Sequence, residues 1–204
     1  MLAPDARAAA PANPIRILAF GDSLTAGYGL EDGRQAFPYQ LQRALQAKKY
    51  DVMILQGGVS GDTTSGGVSR LNWSLASKPD AVILELGAND GLRAVDPALT
   101  EKNLRTIVTR LQQAGLPVLL TGMLAPPNLG RDFGQRYKAA FERVAKETGV
   151  LFYPFFLEEV AAVPDLNQAD GLHPTEEGVA IVVKNILPSV EKLIAQVKDK
   201  QKAK

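Results

Sequence analysis

The sequence predicts an α/β fold: a single-domain, three-layer α/β/α sandwich built on a mainly parallel five-stranded sheet. Three observations carry this reading. Short runs of branched apolar residues recur along the chain, longer amphipathic stretches separate them, and Gly or Pro marks the joins. The runs cover residues 15–20 (IRILAF), 52–55 (VMIL), 81–86 (AVILEL), 118–122 (VLLTG) and 150–153 (VLFY). They have the length and apolar content of parallel strands buried on both faces. Helical patterns lie near residues 37–48, 66–77, 100–114, 134–148 and 175–197. Pro79 and the Asp96-Pro97 pair act as boundaries, and Gly115 and Gly149 stand where helices should end. No repeat or linker divides residues 15–197, which read as one domain; residues 198–204 (KDKQKAK) read as a frayed helix end.

Composition narrows the chemistry. A chain of 204 residues with 46% hydrophobic content can build a full core without staples. Lys and Arg number 23 against 22 Asp and Glu, for a net charge of +1, so no basic field exists to attract nucleic acid. Cysteine is absent, which removes disulfides, thiolate metal sites and any Cys nucleophile. Histidine occurs once, at His173, so any imidazole chemistry has only one place to happen. No apolar run approaches the roughly 20 residues of a transmembrane span. Residues 1–14 form a flexible, Ala- and Pro-rich segment that reads as the remnant of a cleaved secretory signal, which places the protein in the periplasm or outside the cell. The alternative is a disordered N-terminus of a cytoplasmic protein.

In an open parallel sheet, sites form at the carboxyl ends of strands. Four polar, Gly-rich segments follow the runs: Gly21-Asp22-Ser23-Leu24-Thr25, residues 57–63 (GGVSGDT), residues 87–91 (GANDG) and Asp170-Gly171-Leu172-His173-Pro174. A serine hydroxyl needs a base to become a nucleophile, and that base must itself be oriented. Asp170 and His173 are three apart with Gly171 between them, a spacing that lets the carboxylate hold one ring nitrogen while the other faces outward. Pro174 favours an extended backbone at His173 and suits the first position of the next helix. Taken singly, each residue has a plainer reading. Ser23 could cap a helix, Asn89 could be a left-handed turn residue, and Gly61 a turn glycine. Asp22, Asp62 and Asp90 could be caps or cation ligands.

Taken together and in order, the four segments resemble the blocks of the GDSL, or SGNH, hydrolase family. Gly21-Asp22-Ser23-Leu24 is similar to its first block, Gly61 in GVSGDT to its second, Gly87-x-Asn89-Asp90 to its third and Asp170-x-x-His173 to its last. The similarity runs from Ile15 to about Ile194 and is greatest to the bacterial arylesterase and thioesterase I/lysophospholipase branch. The serine is not in a G-x-S-x-G elbow, which disfavours the ordinary α/β-hydrolase fold. The resemblance implies a flavodoxin-like SGNH fold with Ser23 as nucleophile, His173 as base and then acid, and Asp170 as its orienting carboxylate. It further implies an oxyanion hole from the N–H groups of Ser23 and Gly61 and the side-chain amide of Asn89. No metal or other cofactor is implied. The expected partner is a small acyl ester: an aryl or short-to-medium acyl ester, an acyl thioester or a lysophospholipid. The loop at residues 124–130 (LAPPNLG) resembles one bordering the acyl crevice in relatives, with Pro126 and Pro127 as a stiff wall. Trp73, Phe37 and Tyr39 read as core or helix-face residues.

Other readings remain open at this level. A carbohydrate O-deacetylase of the same family would share these residues. A metal-dependent phosphoesterase would use Asp22, Asp170, Asn89 and His173 as ligands, and a flavodoxin-like binding module would cradle phosphate in residues 57–61.

Overall fold

A computed structural model describes residues 13–203. The N-terminal segment read as a processed leader therefore lies almost wholly outside the described residues. Five strands form one sheet: β1 (Ile15–Gly21), β2 (Val52–Gly58), β3 (Ala81–Glu85), β4 (Val118–Thr121) and β5 (Leu151–Tyr153), all parallel, in the order β2-β1-β3-β4-β5. Between and after them run α1 (Ser23–Ala26), α2 (Phe37–Ala47), α3 (Thr64–Leu75), α4 (Ala88–Leu92), α5 (Pro97–Gln113), α6 (Arg131–Thr148) and α7 (Glu176–Lys202).

The strand order explains the layers. The crossover from β1 to β2 steps one way along the sheet and the crossover from β2 to β3 steps back over β1. Right-handed connections then put their helices on opposite faces. Accordingly α2 packs on α7, while α3 packs on α5 and α5 on α6. The direction reverses between β1 and β3, so the loops after these strands part and leave a crevice at the carboxyl edge.

The central strand β3 is fully buried from Ala81 to Leu84. The edges depart from the expectation of two-sided burial: Met53 of β2 is 40% exposed, and Leu151 and Phe152 of β5 are half-buried. The open edge of β2 is closed by the chain's own side chains. Ile54 N–H donates to Gln42 Oε1 at 2.8 Å, and Gln46 Nε2 donates to the Val52 carbonyl at 3.4 Å. Both glutamines come from α2 and occupy ladder positions that another chain could otherwise fill.

Element boundaries moved where capping or pairing outweighed local pattern. β2 runs through Gly57 and Gly58 because they pair with Phe20 and Gly21. α3 begins at Thr64 because the Thr63 side chain accepts from Gly66 N–H, and α5 begins at Pro97 because Asp96 accepts from Ala98 N–H. α7 extends to Lys202, beyond its last buried residue Val197, and Lys200 Nζ donates to the Gly115 carbonyl at 2.9 Å. Among the described residues no helix is long and apolar enough to cross a membrane.

Candidate active site

Ser23 enters the crevice at the first turn of α1. The helix is capped by Asp22, whose Oδ1 accepts from Leu24 N–H at 3.0 Å, so the cap is the aspartate and the serine hydroxyl stays free for other work. After β2, Gly61 takes φ +78°, a conformation that a side chain would strain, and its carbonyl accepts from Arg93 Nη2 at 3.0 Å. Asp62 is neither a cap nor a free ligand: its Oδ2 accepts from Arg70 Nε at 2.6 Å. The same guanidinium donates to the carbonyls of Gly57 and Gly21, at 2.9 and 2.8 Å, and lies 3.9 Å over the Phe20 ring. Arg70 thereby ties the ends of β1 and β2 to the loop that carries Gly61.

Asn89 lies within α4, not in a left-handed turn; the positive φ falls on Gly87, at +127°, immediately before the helix. Asn89 Nδ2 donates to Asp22 Oδ2 at 3.4 Å, which links the third segment to the first. Asp90 accepts from the N–H and hydroxyl of Thr64 and from the Thr100 hydroxyl, joining α3, α4 and α5.

The last segment completes a chain of hydrogen bonds. His173 Nε2 lies 2.9 Å from Ser23 Oγ, and Nδ1 lies 2.6 Å from Asp170 Oδ2. Asp170 Oδ1 accepts from the N–H groups of Leu172 and His173 at 2.9 and 3.0 Å, so the carboxylate is fixed by the turn it belongs to. The expected place of Pro174 is corrected. It does not open the next helix: Thr175 is the cap of α7, its side chain accepting from Gly178 N–H, and Glu176 is the first helical residue. Pro174 instead makes an antiparallel bridge with Asn167. The bridge needs no N–H from Pro174, because the bonds that flank it run from Gln168 N–H to the His173 carbonyl and from Thr175 N–H to the Leu166 carbonyl.

Electrostatics separate the carboxylates. Burial alone would raise Asp170, but hydrogen bonds from the His173 backbone and ring and from Leu172 N–H, with the imidazole charge, bring it down to about 2. It is therefore ionised throughout the neutral range. Asp22 is opposite: burial pushes it up to about 6, against the lowering effect of Leu24 N–H, Asn89 and His173. Beneath it the fully buried Glu85 is driven well above the carboxylate range, by burial first and then by the Asp22 charge. Glu85 Oε2 accepts from the Thr25 hydroxyl at 2.7 Å and from Asp22 N–H at 3.3 Å, while Oε1 is buried without a hydrogen-bond partner among the described residues.

The Asp22 shift gives a stability prediction. An acid whose folded pKa is raised favours the folded state at low pH and loses that contribution as pH rises through the folded value. With an ordinary value of 3.8 and a folded value of about 6, ionised Asp22 costs up to about 3 kcal/mol above pH 6. Asp22→Asn retains the cap and is expected to raise Tm at about pH 8, with the gain disappearing by about pH 4. Thermal unfolding at both pH values checks this; an equal shift at both would refute it.

The hydroxyl opens on a cleft of about 770 Å³ whose walls include Met123, Leu124, Pro126, Pro127, Phe155 and Leu157. Gly61 and Asn89 line the same cleft. Trp73, Phe37 and Tyr39 stand apart from it: Phe37 is buried, while Tyr39 and Trp73 are exposed on α2 and α3. Sequence reasoning missed Tyr28, which lines the cleft with its ring centroid 4.7 Å from that of His173. Its place in a glycine-flanked segment just after the serine turn was the only available signal.

A hydroxyl, an imidazole and a carboxylate joined in series, beside an apolar cleft at the carboxyl edge of a parallel sheet, have the layout of a hydrolase site. The chain belongs to the GDSL-like Lipase/Acylhydrolase family, whose model matches residues 19–181. It is 37% identical to Esterase TesA of Pseudomonas aeruginosa over 179 residues, covering 87% of this chain and 89% of that one. It is 35% identical to the Thioesterase 1/protease 1/lysophospholipase L1 of Escherichia coli K12, covering 87% and 84% of the two chains. Among solved structures, the psychrotrophic esterase EstA from Pseudoalteromonas sp., inhibited by monoethylphosphonate, superposes with a TM-score of 0.83 at 30% identity, covering 89% of this chain and 99% of that one. The protein is accordingly a hydrolase of ester bonds.

Proposed function

We propose that the protein hydrolyses carboxylic esters through an acyl-enzyme formed on Ser23. The observation that carries this is the series Ser23 Oγ, His173, Asp170, with separations of 2.9 and 2.6 Å. His173 Nε2 takes the hydroxyl proton as Ser23 Oγ attacks the ester carbonyl, then returns it to the leaving alkoxide as the tetrahedral intermediate collapses. A water activated by the same nitrogen attacks the acyl-enzyme, and the carboxylic acid leaves. Asp170, ionised, keeps the Nδ1–H tautomer and stabilises the imidazolium at each step. The developing oxyanion is received by the N–H groups of Ser23 and Gly61 and by Asn89 Nδ2, three residues that line the cleft.

The apolar walls favour an acyl or aryl group over a polyol, which supports aryl and short-to-medium acyl esters ahead of acetylated carbohydrate. Acyl thioesters and lysophospholipids join the proposed substrates through the name of the Escherichia coli relative.

Covalent labelling tests the nucleophile. A fluorophosphonate probe is expected to add once per molecule, at Ser23, because only a hydroxyl activated by a base attacks such phosphorus centres. The phosphonate inhibition of EstA supports the choice of probe. Intact-mass spectrometry with peptide mapping reads the result; no adduct, or one on Ser60, overturns the assignment. For the oxyanion hole, Asn89→Ala is expected to lower kcat by about 10²–10³ with KM much less affected. A loss confined to KM would make Asn89 a substrate-binding residue instead.

A further inference from the structure

We propose that Gln168 is a positioning residue that sets the separation between Ser23 and His173. This rests on the serine mechanism above. The two residues are 150 positions apart in sequence, and their side chains meet at 2.9 Å. Something must hold their backbones in register, and the network around Gln168 does so. Tyr28 N–H donates to the Ser23 carbonyl at 3.1 Å, which fixes the segment after the serine turn to the serine itself. Gln168 Nε2 donates to the Tyr28 carbonyl at 2.8 Å and to the Pro174 carbonyl at 2.9 Å. Both amide hydrogens are thereby used, one on the serine side and one on the histidine side. The backbone of Gln168 continues the clamp: its N–H donates to the His173 carbonyl at 2.7 Å, and its carbonyl accepts from Gly171 N–H at 2.8 Å.

The opposing surface is shaped to the clamp. A Cβ on Gly29 would stand 2.0 Å from Gln168 Oε1, so the glycine leaves room for the amide to lie flat between the two segments. Because Gln168 spends two donors on two carbonyls, neither a carboxylate nor a thioether can replace it. Gln168 reaches the reaction only through His173 and Ser23; its effect is on geometry, where misplacement by about 1 Å costs up to about 10²-fold in rate.

The test uses Gln168→Met, which keeps the length of the side chain and loses both donors. We expect kcat on a p-nitrophenyl ester to fall by about 10–10² with KM nearly unchanged, assayed well below the measured Tm of each variant. Residues that act as a unit are non-additive, so on a His173→Ala background the same change should alter the residual kcat by no more than about twofold. Gly29→Ala attacks the clamp from the other segment and should reproduce the loss, again without adding to Gln168→Met. Wild-type kcat in Gln168→Met, or a loss that adds in full to His173→Ala, overturns the proposal. An unaltered kcat in His173→Ala alone would instead remove the serine mechanism, and this inference with it.

Discussion

Ser23→Ala is expected to lower kcat by about 10⁶, leaving the residual catalysis that binding and the remaining oxyanion donors supply. Among the described residues Ser23 is the hydroxyl bonded to the imidazole, at 2.9 Å, and no second nucleophile occupies that place. Ser60 lines the same cleft but makes no hydrogen bond to His173, so Ser60→Ala should keep nearly full activity. KM should change little in Ser23→Ala, because the cleft walls proposed to receive the acyl group are untouched. Steady-state rates with a p-nitrophenyl ester, on protein free of wild-type carry-over, give the answer. A loss of less than about a hundredfold would mean that the acyl group never rests on Ser23.

Asp170→Asn comes next, with an expected fall in kcat of about 10⁴ at neutral pH. The amide oxygen can still accept from the N–H groups of Leu172 and His173, as Oδ1 does now at 2.9 and 3.0 Å. The turn should therefore survive and Tm change little. The amide nitrogen, however, would face Nδ1 where Oδ2 now accepts at 2.6 Å, and so select the tautomer that carries its proton on Nε2. That tautomer cannot accept from Ser23. Because Asp170 is held at about 2, the wild-type carboxylate stays ionised from roughly pH 6 to 9, and its own titration contributes nothing to the deficit in that range. Rates across that range, with Tm recorded alongside, check both statements. A fall of less than about tenfold at neutral pH would point away from tautomer control.

Much of this molecule was legible in one dimension. Five branched apolar runs, each followed by an amphipathic stretch, specify a layered parallel sheet because strand and helix periodicities are local properties of side-chain order. Three of the four Gly-rich segments directly follow β1, β2 and β3 and had to share an edge, since parallel strands all end on the same side; the fourth, at residues 170–174, reaches it only through the long loop after β5. With one histidine in the chain, the partner of Ser23 and Asp170 could be named before any coordinate was known. The tertiary structure decided what depends on contacts between distant segments. The placing of β2 outside β1 opens the crevice; it follows from pairing across the sheet, which no local pattern encodes. Asp22, not Ser23, caps α1, and it is pushed to about 6 by burial over Glu85, a residue 63 positions away. Asn89 sits in a helix because Gly87 takes the positive φ before it. Pro174 lies ahead of α7 because Thr175 offers the better cap. Tyr28 and Gln168 became visible only when the chain brought residues 140 apart within hydrogen-bonding reach. Sequence order determines which groups a segment can offer, whereas long-range packing determines which of those offers meet a partner and at what distance.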